Sequence, residues 1–132
     1  MAMAVRYGVI GCGMMGQEHL RNIALLPGAT VTSIFEPNDE MAAASLAMVP
    51  GARRAESISA VVTASDVDCL FIASPNFRHA EQLREIAALR DIPVLLESPP
   101  APIWMMWRPW LHSPAITKRP FGSLWSVRLQ MV

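Results

Sequence analysis

A glycine-rich loop placed directly after a short apolar segment constrains the fold of this chain more than any other feature. The segment 5–10 is apolar and ends in glycine, as a buried parallel strand does. After the loop, Leu20, Ile23 and Ala24 recur at helical spacing. The residues of the loop are Gly11, Cys12, Gly13, Met14, Met15 and Gly16. A G-x-G-x-x-G pattern between a strand and a helix predicts a dinucleotide-binding loop.

Each glycine of the loop has a separate predicted role. Gly11 permits the tight turn, and Gly13 allows the backbone to approach a pyrophosphate without an intervening Cβ. Gly16 allows the helix to pack closely on its strand. The start of the helix then offers free N–H groups and a positive dipole to the phosphates.

The other loop residues are predicted to have ordinary packing roles. Cys12 is interpreted as a small residue that fills the loop, in preference to a reactive thiol. Met14 and Met15 are expected to pack under the cofactor or against the sheet.

An acidic residue stands where a dinucleotide site needs one. Glu36 lies 20 residues after Gly16, at the end of a segment rich in β-branched residues (30–35). At this position an acid binds the ribose hydroxyls of the adenosine and repels a 2′-phosphate, which favours NAD over NADP. The alternative interpretation is a strand-end acid that faces solvent.

The rest of the first 97 residues alternates strand-like and helix-like segments. Strands are predicted at 69–73 and 93–96 and helices at 39–48 and 77–90, with a short edge strand at 52–55. This alternation predicts right-handed crossovers and a doubly wound parallel α/β sheet, the Rossmann dinucleotide-binding architecture.

Composition divides the chain into two parts, a predicted Rossmann domain at residues 1–97 and a tail at residues 98–132. All 11 acidic residues lie in the first part, and all 4 tryptophans lie in the second. The tail carries 4 basic residues and no acid. Because its composition differs this sharply from that of the domain, we expect it to be poorly ordered and outside the domain fold. Four scattered charges form no nucleic-acid patch, and no apolar run reaches the length of a membrane span.

The two cysteines, Cys12 and Cys69, form neither a disulfide framework nor a metal-ligand spacing. The first residues also lack the pattern of a secretory signal. We therefore expect a cytoplasmic protein with no bound metal.

Three motifs in order resemble the Gfo/Idh/MocA oxidoreductases over residues 5–97. They are the segment 8–13 with His19, the segment 72–76 with His79, and the segment 94–97. The resemblance implies that Ser74, Pro75 and Asn76 lie along the nicotinamide side of the cofactor, that His79 supports their loop, and that Glu97 belongs to the same site. From the residues alone, Asn76 is also a good helix N-cap, and His79 is equally typical of a plain surface or packing residue.

The resemblance breaks at the position of the main catalytic group. The family has Glu-Lys-Pro, whose lysine helps to position or protonate the substrate oxygen, whereas this chain has Glu97-Ser98-Pro99. Serine supplies no cation, so no catalytic residue is assigned. The substrate-binding domain of the family has no counterpart in the sequence either.

The tail is consistent with a shifted reading frame. Trp104-Met105-Met106-Trp107 requires the codons TGG ATG ATG TGG, which read as Asp-Asp-Val when each codon starts one base earlier. The same shift can restore Glu-Lys at Ser98. The alternative is a genuine tail with a Trp- and Pro-rich role, and resequencing the DNA across codons 97–98 would decide between them.

Two function classes remain open at this point. The first is the domain of an NAD-dependent dehydrogenase that binds cofactor but is catalytically impaired, with a sugar or inositol-like substrate implied by the resemblance. The second is a non-enzymatic NAD-binding regulator or interaction module. A short-chain dehydrogenase is disfavoured because the only tyrosine, Tyr7, lies in the first strand.

Overall fold

A computed structural model of the chain describes residues 4–97 and 129–131. The elements alternate as the sequence predicts. In chain order they are β1 (Val5–Ile10), α1 (Met14–Leu25), β2 (Ala29–Phe35), α2 (Asp39–Met48), β3 (Arg53–Arg54), α3 (Ile58–Val62), β4 (Cys69–Ile72), a 3₁₀ turn (Asn76–Arg78), α4 (His79–Leu89), β5 (Val94–Leu96) and β6 (Leu129–Met131).

The strands form a single parallel sheet in the order β3-β2-β1-β4-β5-β6. The order reverses between β1 and β4, because the chain first proceeds outward to β3 and then returns to the other side of β1. Two apolar cores cover the two faces of the sheet. Leu20 and Ile23 of α1 pack on one face, and Leu83 and Ile86 of α4 pack on the other. The predicted doubly wound Rossmann architecture is confirmed.

Local capping explains where two of the helices begin. The side chain of Asn38 accepts a hydrogen bond from the backbone N–H of Met41, which fixes the first turn of α2. The hydroxyl of Ser57 does the same for α3 by accepting from Ala60. Apolar periodicity alone locates the start of a helix only to within a few residues. The two capping side chains fix the starts of α2 and α3.

The helix that follows β4 begins differently from the prediction. The prediction of Asn76 as its N-cap is wrong, because the residues 76–78 form a 3₁₀ turn and α4 starts at His79. Pro75 stands before this turn, and the turn has no side-chain capping bond. The side chain of Asn76 is therefore not used as a cap.

The predicted tail lies mostly outside the described residues, as do Ser98 and the tryptophans. At 129–131 the chain joins the sheet, in parallel with β5, so these three residues differ from the expectation for the tail. Without β6, β5 would be the edge of the sheet, and β6 pairs with the backbone groups that this edge would leave unpaired. For the remainder of 98–132 the expectation stays a prediction.

Candidate dinucleotide-binding site

A cleft of about 670 Å³ opens at the edge of the sheet where the parallel strands end. The loop after β1 forms its floor, Glu36 after β2 lies on one side, and the loop after β4 lies on the other. This is the point where the strand order reverses, the usual ligand position in open α/β sheets.

The three glycines of the loop are needed for three different reasons. Gly11 has a φ of +90°, and a Cβ on it would lie 2.5 Å from the backbone nitrogen of Ser74. A Cβ on Gly16 would overlap the carbonyl oxygen of Gly11. A Cβ on Gly13, in contrast, would meet no atom within 4 Å, since Gly13 borders the open cleft.

The first turn of α1 suits an anion. Gly13 is the N-cap residue and makes no side-chain capping bond, so the first amides of α1 lack a side-chain acceptor. The open space above Gly13 gives a phosphate group access to these amides and to the positive end of the helix dipole. The loop therefore fits a pyrophosphate.

Both carboxylate oxygens of Glu36 accept hydrogen bonds from backbone N–H groups. One carboxylate oxygen accepts a hydrogen bond from the N–H of Cys12 (2.8 Å) and the other from the N–H of Asn38 (2.9 Å). Only 8% of the residue is exposed, so the interpretation as a solvent-facing acid is wrong. A carboxylate has further lone pairs, and Glu36 lines the cleft, so it can still accept from ribose hydroxyls.

The loop after β4 is fixed by the first turn of α4. Nε2 of His79 lies 2.7 Å from the carbonyl oxygen of Ser74, and the Ser74 hydroxyl donates to Oε1 of Gln82. Burial lowers the pKa of His79, against the opposing effects of the Ser74 carbonyl and the charge of Glu97. The neutral imidazole therefore donates to the Ser74 carbonyl through Nε2–H.

Glu97, directly after β5, closes the same side of the cleft. Its Oε1 lies 3.9 Å from Nε2 of His19, whose ring packs against Phe71 with centroids 4.3 Å apart. Among the described residues, three buried side-chain polar atoms have no hydrogen-bond partner: Nε2 of His19, Nδ1 of His79 and Oγ of Ser33 in β2. Two of these three atoms, those of His19 and His79, lie on the Glu97 side of the site.

Comparison with known proteins identifies the family to which this domain belongs. Residues 5–112 match the family model for the oxidoreductase family with an NAD-binding Rossmann fold, GFO_IDH_MocA. The chain belongs to the Gfo/Idh/MocA family. Residues 5–112 are its NAD-binding Rossmann domain, and the family match continues past Glu97, where the predicted domain ends.

Among curated relatives of this Gfo/Idh/MocA chain are inositol dehydrogenases. It is 39% identical over 101 residues to inositol 2-dehydrogenase 2 of Paenarthrobacter aurescens, covering 76% of the chain and 30% of the relative. It is 38% identical over 99 residues to inositol 2-dehydrogenase of Leifsonia xyli, covering 74% and 29%. The chain thus spans about 30% of the length of these relatives.

Solved structures agree on the fold. Myo-inositol dehydrogenase from Lactobacillus casei, in complex with NAD(H) and myo-inositol, superposes with a TM-score of 0.78 at 21% identity, over 98% of this chain and 36% of that chain. The WlbA dehydrogenase from Bordetella pertussis, in complex with NADH and UDP-GlcNAcA, gives 0.74 at 26% identity, over 98% and 37%. A 3-ketoreductase from Actinomadura kijaniata in complex with NADP gives 0.65 at 27%, over 73% and 29%.

Most of the predicted site residues of this Gfo/Idh/MocA domain line the cleft. They are Gly11, Gly13, Met14, Met15, Glu36, Ser74, Pro75, Asn76 and Glu97. Three predicted residues are not part of the lining: Cys12, Gly16 and His79 support it from behind. The interpretation of His79 as a surface residue is wrong, since it is 2% exposed.

The packing prediction for the glycine loop holds for Cys12 but not for the two methionines. Cys12 is fully buried in the core under α1, and burial raises the pKa of its thiol to about 11. It is therefore a thiol at neutral pH and fills the loop as predicted. Packing of the two methionines against the sheet is wrong: Met14 is 84% exposed, and both lie at the mouth of the cleft. They point away from the core because Gly16 and Leu20 occupy the buried face of α1.

Eight lining residues were not among the predicted site residues: Ile10, Phe35, Pro37, Met41, Ala73, Phe77, Arg78 and Gln82. Gln82 lies three residues after His79, on the same face of α4, so helical spacing could have indicated it. Phe77 carried no such signal, because the predicted helix at 77–90 includes it, whereas the observed 3₁₀ turn leaves it exposed.

Two further properties concern the described residues only. No group of three or more His, Cys, Asp or Glu side chains there is arranged to hold a metal ion. No helix in the same part of the chain has the length and apolarity that crossing a membrane requires.

Proposed function

We propose that NAD(H) lies across the cleft in an orientation set by the order of the strands. The adenosine half of the site, formed by Glu36 and its neighbours after β2, binds the adenosine ribose. Gly13 and the start of α1 hold the pyrophosphate. The nicotinamide half, formed by the loop 74–76 and Glu97, receives the other nucleoside. The observation that carries this proposal is that all three groups open onto one cleft.

A preference for NAD over NADP follows from the charges of the adenosine half. The carboxylate of Glu36 would repel a 2′-phosphate. The nearby guanidinium of Arg54 is already engaged: it donates to the carbonyl oxygens of Glu36 (2.9 Å) and Pro37 (3.3 Å), and it pairs with Asp39 (2.8 Å). Arg54 therefore stabilises the backbone around Glu36. Its guanidinium charge is already paired with Asp39 and is not free to bind a phosphate.

The reaction that we propose for the whole protein is hydride transfer with a polyol such as inositol, in the cytoplasm. The names of the curated relatives support this substrate class. When bound, the nicotinamide ring supplies the hydride donor or acceptor, and the residues of this chain bind and orient it. Ser98 stands in place of the family's lysine, so we propose that this chain binds cofactor and turns over little.

A glycine substitution tests the cofactor site. Gly13→Ala fits the backbone, whose φ is −70°, but it puts a methyl group where the pyrophosphate approaches. We expect NADH affinity, measured by titration of its fluorescence, to fall at least about tenfold. The matched control is Gly51→Ala, because a Cβ there also meets no atom within 4 Å and Gly51 lies outside the cleft lining.

Binding and activity measurements on these two variants and on the unmodified chain test the remaining parts of the proposal. Equal NADH affinity of Gly13→Ala and Gly51→Ala would contradict the pyrophosphate assignment. Tighter binding of NADPH than of NADH would contradict the NAD preference. Sustained reduction of NAD by myo-inositol would contradict impaired turnover, whereas NADH binding without turnover is the expected result.

A further inference from the structure

Gln82 is a buried amide in the wall of the cleft, and no part of the family resemblance assigns it a role. It lies in the first turn of α4 and is 5% exposed. A buried amide is stabilising only when its hydrogen-bonding groups find partners. The hydrogen-bond partners of the Gln82 amide oxygen and amide nitrogen therefore decide what this residue can do in the site.

The two ends of the Gln82 side chain are used differently. Oε1 accepts the hydrogen bond of the Ser74 hydroxyl, and this bond consumes the only proton of that hydroxyl. Nε2 carries two protons and has no hydrogen-bond partner among the described residues, while the residue itself lines the cleft. The Ser74 hydroxyl is thus committed to Gln82, and the amide nitrogen is the available donor.

The position of this donor along the cleft is fixed from two sides. His79 holds the Ser74 carbonyl, and Gln82 holds the Ser74 hydroxyl, so one helical turn anchors these two groups of Ser74. This turn follows β4, on the side of the glycine loop away from Glu36. The amide nitrogen is consequently placed by bonds that exist without any ligand.

We propose that Gln82 is a cofactor-binding residue whose amide nitrogen donates to an oxygen of the nicotinamide nucleoside, either its carboxamide oxygen or a ribose hydroxyl. The inference rests on the proposed NAD site and adds a specific contact to its nicotinamide half. Ser74 then acts as a positioning residue, because its side chain orients the amide of Gln82.

Gln82→Glu separates the donor from the rest of the side chain. The substitution keeps an oxygen that can accept from Ser74 and replaces the amide nitrogen by a second acceptor. We expect NADH affinity to fall about tenfold, which corresponds to about 1.4 kcal/mol, with ADP affinity changed less than about twofold. The matched control is Ala88→Glu, which adds the same charge at an exposed position of α4.

Three ligands locate the contact when calorimetric affinities are compared with those of the control. Weaker binding of both NADH and ADP-ribose indicates the ribose, and weaker binding of NADH alone indicates the carboxamide. Either result supports the proposal. Unchanged NADH affinity in Gln82→Glu would overturn it, and so would an equal loss for ADP, because the effect would then come from charge or from a displaced loop.

The outcome for the unmodified protein separates this inference from the proposed function. If the wild-type chain binds neither ADP nor NADH, the proposed function fails and the inference fails with it. If the wild type binds both ligands and Gln82→Glu behaves like Ala88→Glu, only the assignment of Gln82 is wrong. Far-UV circular dichroism of each variant checks that the helix content of the chain is unchanged.

Discussion

The two halves of the proposed cofactor site are stabilised in different ways. In the adenosine half, both carboxylate oxygens of Glu36 accept backbone N–H bonds, and Arg54 braces the carbonyl oxygen of the same residue. In the nicotinamide half, the described residues leave His19, His79 and Gln82 each with a nitrogen that has no hydrogen-bond partner. The carboxylate of the adenosine half is thus fixed by backbone bonds, whereas in the nicotinamide half the amide nitrogen of Gln82 remains available at the cleft.

This difference indicates which half is preorganised and which can adapt. A carboxylate fixed by two backbone bonds needs no rearrangement to receive ribose hydroxyls. Of these three residues only Gln82 lines the cleft, so a ligand oxygen can supply the missing partner of its amide nitrogen and recover the free energy that an unpaired polar group costs. Substitutions in the adenosine half should therefore damage both folding and binding, whereas Gln82→Glu in the nicotinamide half should mainly damage binding.

The largest effect is expected where the two halves meet. Gly11→Ala would put a Cβ at a φ of +90° and 2.5 Å from the backbone nitrogen of Ser74, so one of the two loops must move. We expect the free energy of unfolding to fall by about 3 kcal/mol or more. Urea unfolding followed by circular dichroism measures it. A midpoint equal to that of Gly51→Ala would show that the loops do not depend on each other.

The second prediction tests how far the adenosine half depends on Glu36. Glu36→Ala leaves the buried N–H of Cys12 without its acceptor, which should cost about 1–3 kcal/mol of stability and also weaken ADP binding. Glu85→Ala, an exposed glutamate of α4, is the control. If Glu36→Ala lost stability but kept full ADP affinity, Glu36 would be a purely structural residue.

The smallest effect is expected from the titration of His79 in the nicotinamide half. Burial lowers the pKa of His79 in the folded chain, so the unfolded chain binds the proton more readily. The stability should therefore fall as the pH drops below about 6.5, the ordinary pKa of histidine. His79→Gln should flatten this slope between pH 7 and 5. An equal slope in both proteins would assign the pH dependence to other groups.

Much of the fold could be predicted from local patterns. The apolar run at 5–10 and the spacing from Gly16 to Glu36 each reflect short-range chemistry, and the structure places both as predicted. One error occurred where two local conformations compete. After Pro75 the sequence allows both a helix cap and a 3₁₀ turn, and the structure has the turn, with α4 beginning at His79.

The sequence by itself determined that a glycine loop joins a strand to a helix and that an acid ends the next strand, because both depend on residue type and spacing. Only the tertiary structure decided what these groups touch. The bond from Cys12 to Glu36 spans 24 residues, and the contact of Gly11 with Ser74 crosses from β1 to β4. Parallel crossovers bring these strand ends to one edge, and periodicity specifies the buried face of an element but not its partner across the sheet.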